Sequence, residues 1–149
     1  MELAQFLVKA KKNTYAKIGE MGELRLEDGT REFTYKENDW TYRDRYFGFK
    51  AFVGEEIIWK KGKPVWGVNY HGRVTIENMS SKKIYSFLRK AMNKVPVDKP
   101  FRGPKHFKEK DFEYFNSSTG DLNNFSGIEH VEYQGNKVYE LIYHGGTIR

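Results

Sequence analysis

The sequence predicts an α+β domain made of two pseudo-symmetric halves, each a helix followed by three antiparallel strands. Three observations lead there: a long segment recurs at a fixed offset, each copy follows an apolar stripe at helical spacing, and Gly-containing turns divide the copies into alternating runs. At an offset of 73 residues, FVGEEIIWKKGKPVWGVNYHG (52–72) lies on FSGIEHVEYQGNKVYELIYHG (125–145) without a gap. Eight of the 21 positions are identical, Glu56/Glu129 and Tyr70-His71-Gly72/Tyr143-His144-Gly145 among them, where ordinary composition gives about one or two. With one inserted residue, YKENDWTY (35–42) also lies on FKEKDFEY (107–114), and Gly48 falls on Gly120. The repeats therefore run over about 2–74 and 81–148 of a single domain spanning 1–149.

Taken in order, residues 2–13 carry Leu3, Phe6, Leu7 and Ala10 on one helical face. The stretch 16–31 is Gly-rich and charged and is expected to be a loop. Strands follow at about 32–46, 48–60 and 64–71, with a hairpin turn at Lys60-Lys61-Gly62-Lys63 because Gly accepts positive φ. A second helix over 81–94 carries Ile84, Phe87, Leu88 and Ala91, with Ser80 or Ser81 as its cap and Pro96 as its stop. VPVDKPFRGPK (95–105) holds three of the four prolines and connects the halves. Strands at about 111–118, 122–133 and 137–144 complete the second copy, with a turn at Gln134-Gly135-Asn136.

Composition narrows the function classes. The chain has no Cys, so disulfides, thiolate metal sites and a Cys nucleophile are excluded. The mean hydropathy is −0.79, and no apolar run approaches the roughly 20 residues that cross a bilayer. The opening MELAQFLVKAKK lacks the order of charge, apolar core and small-residue cleavage site of a secretory signal, so a cytoplasmic location is expected. The net charge of +6 is scattered in small clusters, at Lys9-Lys11-Lys12, Lys60-Lys61-Lys63 and Lys82-Lys83. It suits a solvated surface, with an anionic or nucleic-acid partner as the alternative. Phosphate-loop, dinucleotide-binding and nucleophile-elbow motifs are all missing.

The candidate site residues come from the repeat. With a two-residue turn at Lys61-Gly62, Ile58 pairs with Val65, which puts Glu56, Ile58, Val65, Asn69 and His71 on one face and Trp59, Trp66, Val68 and Tyr70 on the other. The second copy places Glu129 and His144 together in the same way. Glu56, Glu129, His71 and His144 are then polar groups converging across a pseudo-dyad, able to hold a ligand or to do acid–base work; strand-end scaffolding is the alternative. Two Glu and two His without a local ligand motif make a poor metal set, and neither metal nor cofactor is expected. Asp39-Trp40-Thr41-Tyr42 and Asp111-Phe112-Glu113-Tyr114 repeat an acid beside two aromatics, which suits a flat or cationic ligand. Trp59 joins them as a pocket aromatic, and plain strand packing is again the alternative.

FLVKAKKNTYA, the 52–72 segment, FRGP (101–104) and the closing KVYELIYHGGTIR together resemble an uncharacterised microbial family, catalogued as a domain of unknown function. Its members occur alone or behind Xre-type helix-turn-helix DNA-binding domains. The pattern departs at 18–31, where Glu20, Glu23, Arg25 and Glu27 stand in place of small polar residues. The architecture is also similar to gyrase-inhibitor-like effector-binding domains, which implies a ligand cleft using Glu56 or Glu129 with Trp40, Tyr42, Trp59 and Tyr114. The combined expectation is a small-molecule binding module with its cleft between the repeats. The alternatives are a hydrolase or isomerase using a Glu/His pair, and an interaction protein using the basic surface.

Overall fold

Strand alternation and Gly turns dominate the chain, and the computed structural model, which describes residues 1–18 and 23–149, is accordingly built on one sheet. The strands are β1 (Leu24–Arg25), β2 (Arg31–Glu37), β3 (Trp40–Gly48), β4 (Ala51–Lys60), β5 (Lys63–Val74), β6 (His106–Glu109), β7 (Phe112–Asp121), β8 (Asn124–Tyr133) and β9 (Asn136–Thr147). They form one antiparallel sheet in the order β1-β2-β3-β4-β5-β9-β8-β7-β6. Helices α1 (Leu3–Lys12), α2 (Tyr15–Ile18) and α3 (Ser81–Met92) supply the remaining regular structure among the described residues. The expected α+β architecture of two helix-plus-three-strand units is therefore corrected: the fold is a single sheet-dominated layer of nine strands with short helices on one face. The physical reason is the direct β5–β9 pairing, from Trp66↔Thr147 to Val74↔Tyr139, which fuses the two strand runs edge to edge.

Two strand boundaries also differ from expectation. The run 32–46 is two strands, because Asn38 adopts a φ of 54° and turns the chain into the Glu37↔Trp40 pair. Lys110 does the same at φ 54° between β6 and β7, and β6 lies between the expected connector at 95–105 and the strand expected from about 111. The hairpin turns at Lys61-Gly62 and Gln134-Gly135 fall where the sequence predicts, with positive φ at the glycines and also at Lys61 and Gln134. Within the loop expected at 16–31, α2 ends at Ile18, β1 begins at Leu24, and 19–22 lie outside the described residues.

One face of the sheet is covered and the other is open. Phe6 of α1 stacks on Trp40, with ring centroids 5.3 Å apart, and Phe87 of α3 stacks on Phe112 at 4.9 Å. The segment between α3 and β6 is drawn into this layer: Phe101 is buried and stacks on Phe125 at 3.9 Å. Val53, Ile128 and Ile142 lie on the opposite face, all more than half exposed.

A β-bulge decides which side chains reach the covered face. In the β4–β5 hairpin Ile58 pairs with Trp66 but Trp59 pairs with Pro64, so Val65 is an extra residue. The β8–β9 hairpin repeats this at Val138, between Val131↔Tyr139 and Glu132↔Lys137. The expected Ile58–Val65 register holds only at the turn. Beyond the bulge every side chain changes sides, so Glu56 lies opposite Val68 and shares the covered face with Trp66 and Tyr70.

Gly48 sits at φ +96°, and a Cβ there would lie 2.1 Å from the Ala51 carbonyl oxygen, whereas Gly62 at φ +77° has nothing within 4 Å. Gly48→Ala should therefore cost ~2 kcal/mol or more and Gly62→Ala only ~1 kcal/mol in urea unfolding. Equal losses would contradict the close approach at the β3–β4 turn.

Candidate functional site

Strand period places Tyr42, Asp44 and Tyr46 on the covered face of β3, opposite Ile58, Glu56 and Gly54 of β4. Tyr70 of β5 comes next, opposite Gly54, where any Cβ would lie 2.6 Å from the Tyr70 hydroxyl. That gap in the side-chain layer lets the tyrosine lie across β4, and its hydroxyl donates to Asp44 Oδ1. Asp44 and Glu56 are directly opposed, an unfavourable pairing of like charges unless compensated.

Compensation comes from outside the sheet. Lys11 of α1 extends into the layer and donates from Nζ to Glu56 Oε1 at 2.8 Å, to Oε2 at 3.1 Å and to the Phe101 carbonyl at 2.7 Å. Tyr42 donates its hydroxyl to Glu56 Oε1 at 2.5 Å. Glu56 is only 2% exposed, so a buried charge of this kind is tolerated because hydrogen bonds and a cation surround it.

A second cluster lies 73 residues on. Glu129, 1% exposed, accepts from Arg102 Nε at 3.1 Å and Nη2 at 2.5 Å, from the Tyr139 hydroxyl at 3.0 Å and from the Tyr114 hydroxyl. The Gly103 N–H donates to the Tyr114 oxygen at 3.0 Å, which fixes the 101–103 backbone over β7. Opposite Glu129 stands Asn116, and Tyr143 donates its hydroxyl to Asn116 Oδ1 at 2.8 Å. The two clusters thus share a plan, with a difference that matters for charge: Asp44 is ionisable and Asn116 is not.

This difference sets the electrostatics. Burial and then the neighbouring Glu56 charge push the Asp44 carboxyl up to about 7, against the Tyr70 hydrogen bond, Lys11 and Arg102, which favour its ionised form. Burial likewise raises Tyr42 and Tyr70 well above the ordinary phenol range, and it moves Tyr143 to about 12. Burial is the largest influence on the Arg102 guanidinium and would lower it, but the Glu129 charge and hydrogen bond together with Tyr139 and Tyr114 outweigh it and the net direction is upward.

Beside Asp44 the layer opens into a small cavity of about 50 Å³ that reaches solvent. Its walls are Tyr15, Tyr46, Phe49, Phe52, Tyr70 and Tyr85, with Leu88, Arg102 and Asp44 completing the lining. A smaller space, bounded by Lys11, Tyr42 and Glu56, shares Tyr15, Asp44 and Arg102 with it.

Of the residues singled out from sequence, Glu56, Glu129, Tyr42 and Tyr114 come together in this buried layer. Trp40 lies beneath α1, with Lys60 Nζ 4.6 Å from its ring centre. Trp59 is on the far face under the Arg43 guanidinium at 5.0 Å. His71 and His144 are exposed on that same far face, so the sheet separates both from Glu56 and Glu129. Among the described residues no three acids or histidines form a metal-holding group.

The model of a family described as a domain of unknown function, DUF5680, matches residues 44–148. The chain belongs to the DUF5680 family. The matched stretch contains Asp44, Glu56, Tyr70, Arg102 and Glu129, whereas Lys11 and Tyr42 precede it. No curated protein and no solved structure matches this DUF5680 chain.

Asp44, Lys11 and Arg102 were not singled out from sequence, yet each left a trace there. Lys11 continues the Leu3–Leu7 spacing of the buried helical stripe, Arg102 lies in the FRGP motif, and Asp44 stands two residues beyond Tyr42 on the same strand face. The Asp44 shift carries a pH dependence. Its folded value lies above the ordinary 3.8, so between about pH 4 and 7 the folded chain holds a proton that the unfolded chain has released. Stability should fall by up to a few kcal/mol as pH rises through that window. Asp44→Asn should flatten that part of the curve in denaturant titrations. A variant as steep as the parent would remove Asp44 as the source.

Proposed function

We propose that this DUF5680 protein is a small-molecule binding module whose ligand occupies the aromatic cavity beside Asp44. The observation that carries the reading is the combination of a solvent-open cavity, six aromatic walls and one buried carboxylate in a single lining. The cavity lies between the β3–β5 part of the sheet and α3, with Arg102 reaching in from the connecting segment. The repeated Glu56 and Glu129 clusters act as scaffold in this reading: each holds a non-sheet element against the strands, and the Asp44/Asn116 difference gives one half the chemistry. A duplicated ancestral unit accounts for both clusters. The resemblance to families joined to Xre-type helix-turn-helix domains fits an effector role, in which occupancy of the cavity is passed to a partner.

The geometry favours this over acid–base catalysis by a Glu/His pair, since both repeated histidines lie across the sheet from the glutamates. A fragment screen by protein NMR tests the reading on the full chain. Hits should shift amides of Asp44, Phe49, Phe52, Tyr70 and Leu88, and Leu88→Trp, which fills the cavity, should abolish them. Hits confined to the open face, or unaffected by Leu88→Trp, would contradict it.

A further inference from the structure

We propose that the cavity selects an organic cation, an amine or quaternary ammonium group on a compact apolar body. This inference rests on the binding-module reading and names its ligand class. It stands first on charge bookkeeping. Four carboxylates are buried over this face: Glu23, which Arg25 and Arg31 approach at 3.6 and 3.7 Å, and Asp44, Glu56 and Glu129, among which two further cations, Lys11 and Arg102, enter. Lys11 is committed to Glu56, and both donating nitrogens of Arg102 are turned to Glu129. Among the described side chains no cation forms an ion pair with Asp44, whose Oδ1 is held by Tyr70. Asp44 is 9% exposed and lines the cavity. A ligand cation supplies the missing charge. An anion would meet Asp44 and find Arg102 already engaged.

The walls support the same class. Phe52 lies edge-on to Tyr46, Tyr70 and Tyr85, with centroids 6.4, 6.0 and 6.0 Å apart, and Phe49 lies edge-on to Tyr85 at 5.2 Å. These rings line the cavity together, and aromatic faces attract a cation most strongly where water is excluded. Several hydroxyls point elsewhere: Tyr46 donates to Glu23 and Tyr85 to the Phe49 carbonyl.

Binding must then depend on pH, since only ionised Asp44 offers its charge. The groups around it are Tyr42 and Tyr46 of β3, Glu56 of β4, Tyr70 of β5, Lys11 of α1, Tyr15 of α2, Tyr85 of α3 and Arg102. Affinity for a permanent cation should rise between about pH 6 and 8 as Asp44 loses its proton.

The test is an NMR titration of the full chain at about pH 8 with choline and benzyltrimethylammonium, against the neutral 3,3-dimethylbutan-1-ol and benzyl alcohol. The cations should shift the Phe52, Tyr70 and Leu88 amides and bind about tenfold or more tightly than the neutral compounds. Asp44→Asn, which places in the first cluster the amide already present at Asn116, should remove that advantage. If it fails to fold, the parent's affinity ratio at low and high pH reads the same dependence. Neutral compounds binding the cavity as tightly as cations would overturn the cation class and leave the module reading standing. Cation binding indifferent to both Asp44→Asn and pH would overturn the assignment to Asp44. No cavity shift from either class at tens of millimolar would overturn both readings.

Discussion

Two glutamates in the middle of a sheet face, each almost fully buried, constrain everything laid over that face. A carboxylate in such a place needs a cation and several donors, and a sheet's own strands supply only tyrosine hydroxyls there. Lys11 from α1 and Arg102 from the segment after α3 bring the charge. Lys11 also donates to the Phe101 carbonyl, and Gly103 beside Arg102 donates its N–H to Tyr114, so these contacts together fix where the N-terminal helix and the 101–103 segment cross the sheet. The cavity is what remains between those anchored elements and β3–β5.

The bulges at Val65 and Val138 make this possible. Without the extra residue, Glu56 and Glu129 would stay in register with the turn and face solvent beside the histidines, and Ile57 and His130 would turn inward. One additional residue per hairpin inverts that arrangement. The same shift explains why Tyr-His-Gly recurs: its Tyr reaches Asp44 or Asn116 across a glycine, its His points to water, and Gly72 lets Phe52 and Leu141 approach its backbone.

Elements with a local signature were legible in the sequence. Helices α1 and α3 follow from their apolar stripes, and the turns at Lys61-Gly62 and Gln134-Gly135 from glycine after a short run. Three features were not legible, for physical reasons. The β5–β9 pairing joins residues some 75 positions apart with no turn to announce it. A bulge leaves no mark in a run such as KPVWGV, where alternation reads equally well in either register. Lys11 and Arg102 resemble surface charges until the partners they bury against are known. Glu56, Glu129, Tyr42 and Tyr114 were reached from the repeat alone, but the histidines were assigned to their face because the bulge was not visible.

Of the acids buried in this layer, Asp44 is the one that no described cationic side chain pairs with. A carbon-13 NMR titration of the Asp44 carboxyl tests this directly. Its midpoint should lie near 7, well above the ordinary 3.8, while the Asp28 carboxyl, held by hydrogen bonds from Thr30, titrates below that value. A midpoint for Asp44 at or below 3.8 would show that the carboxylate is already neutralised by a partner, and would remove the basis for a cation site.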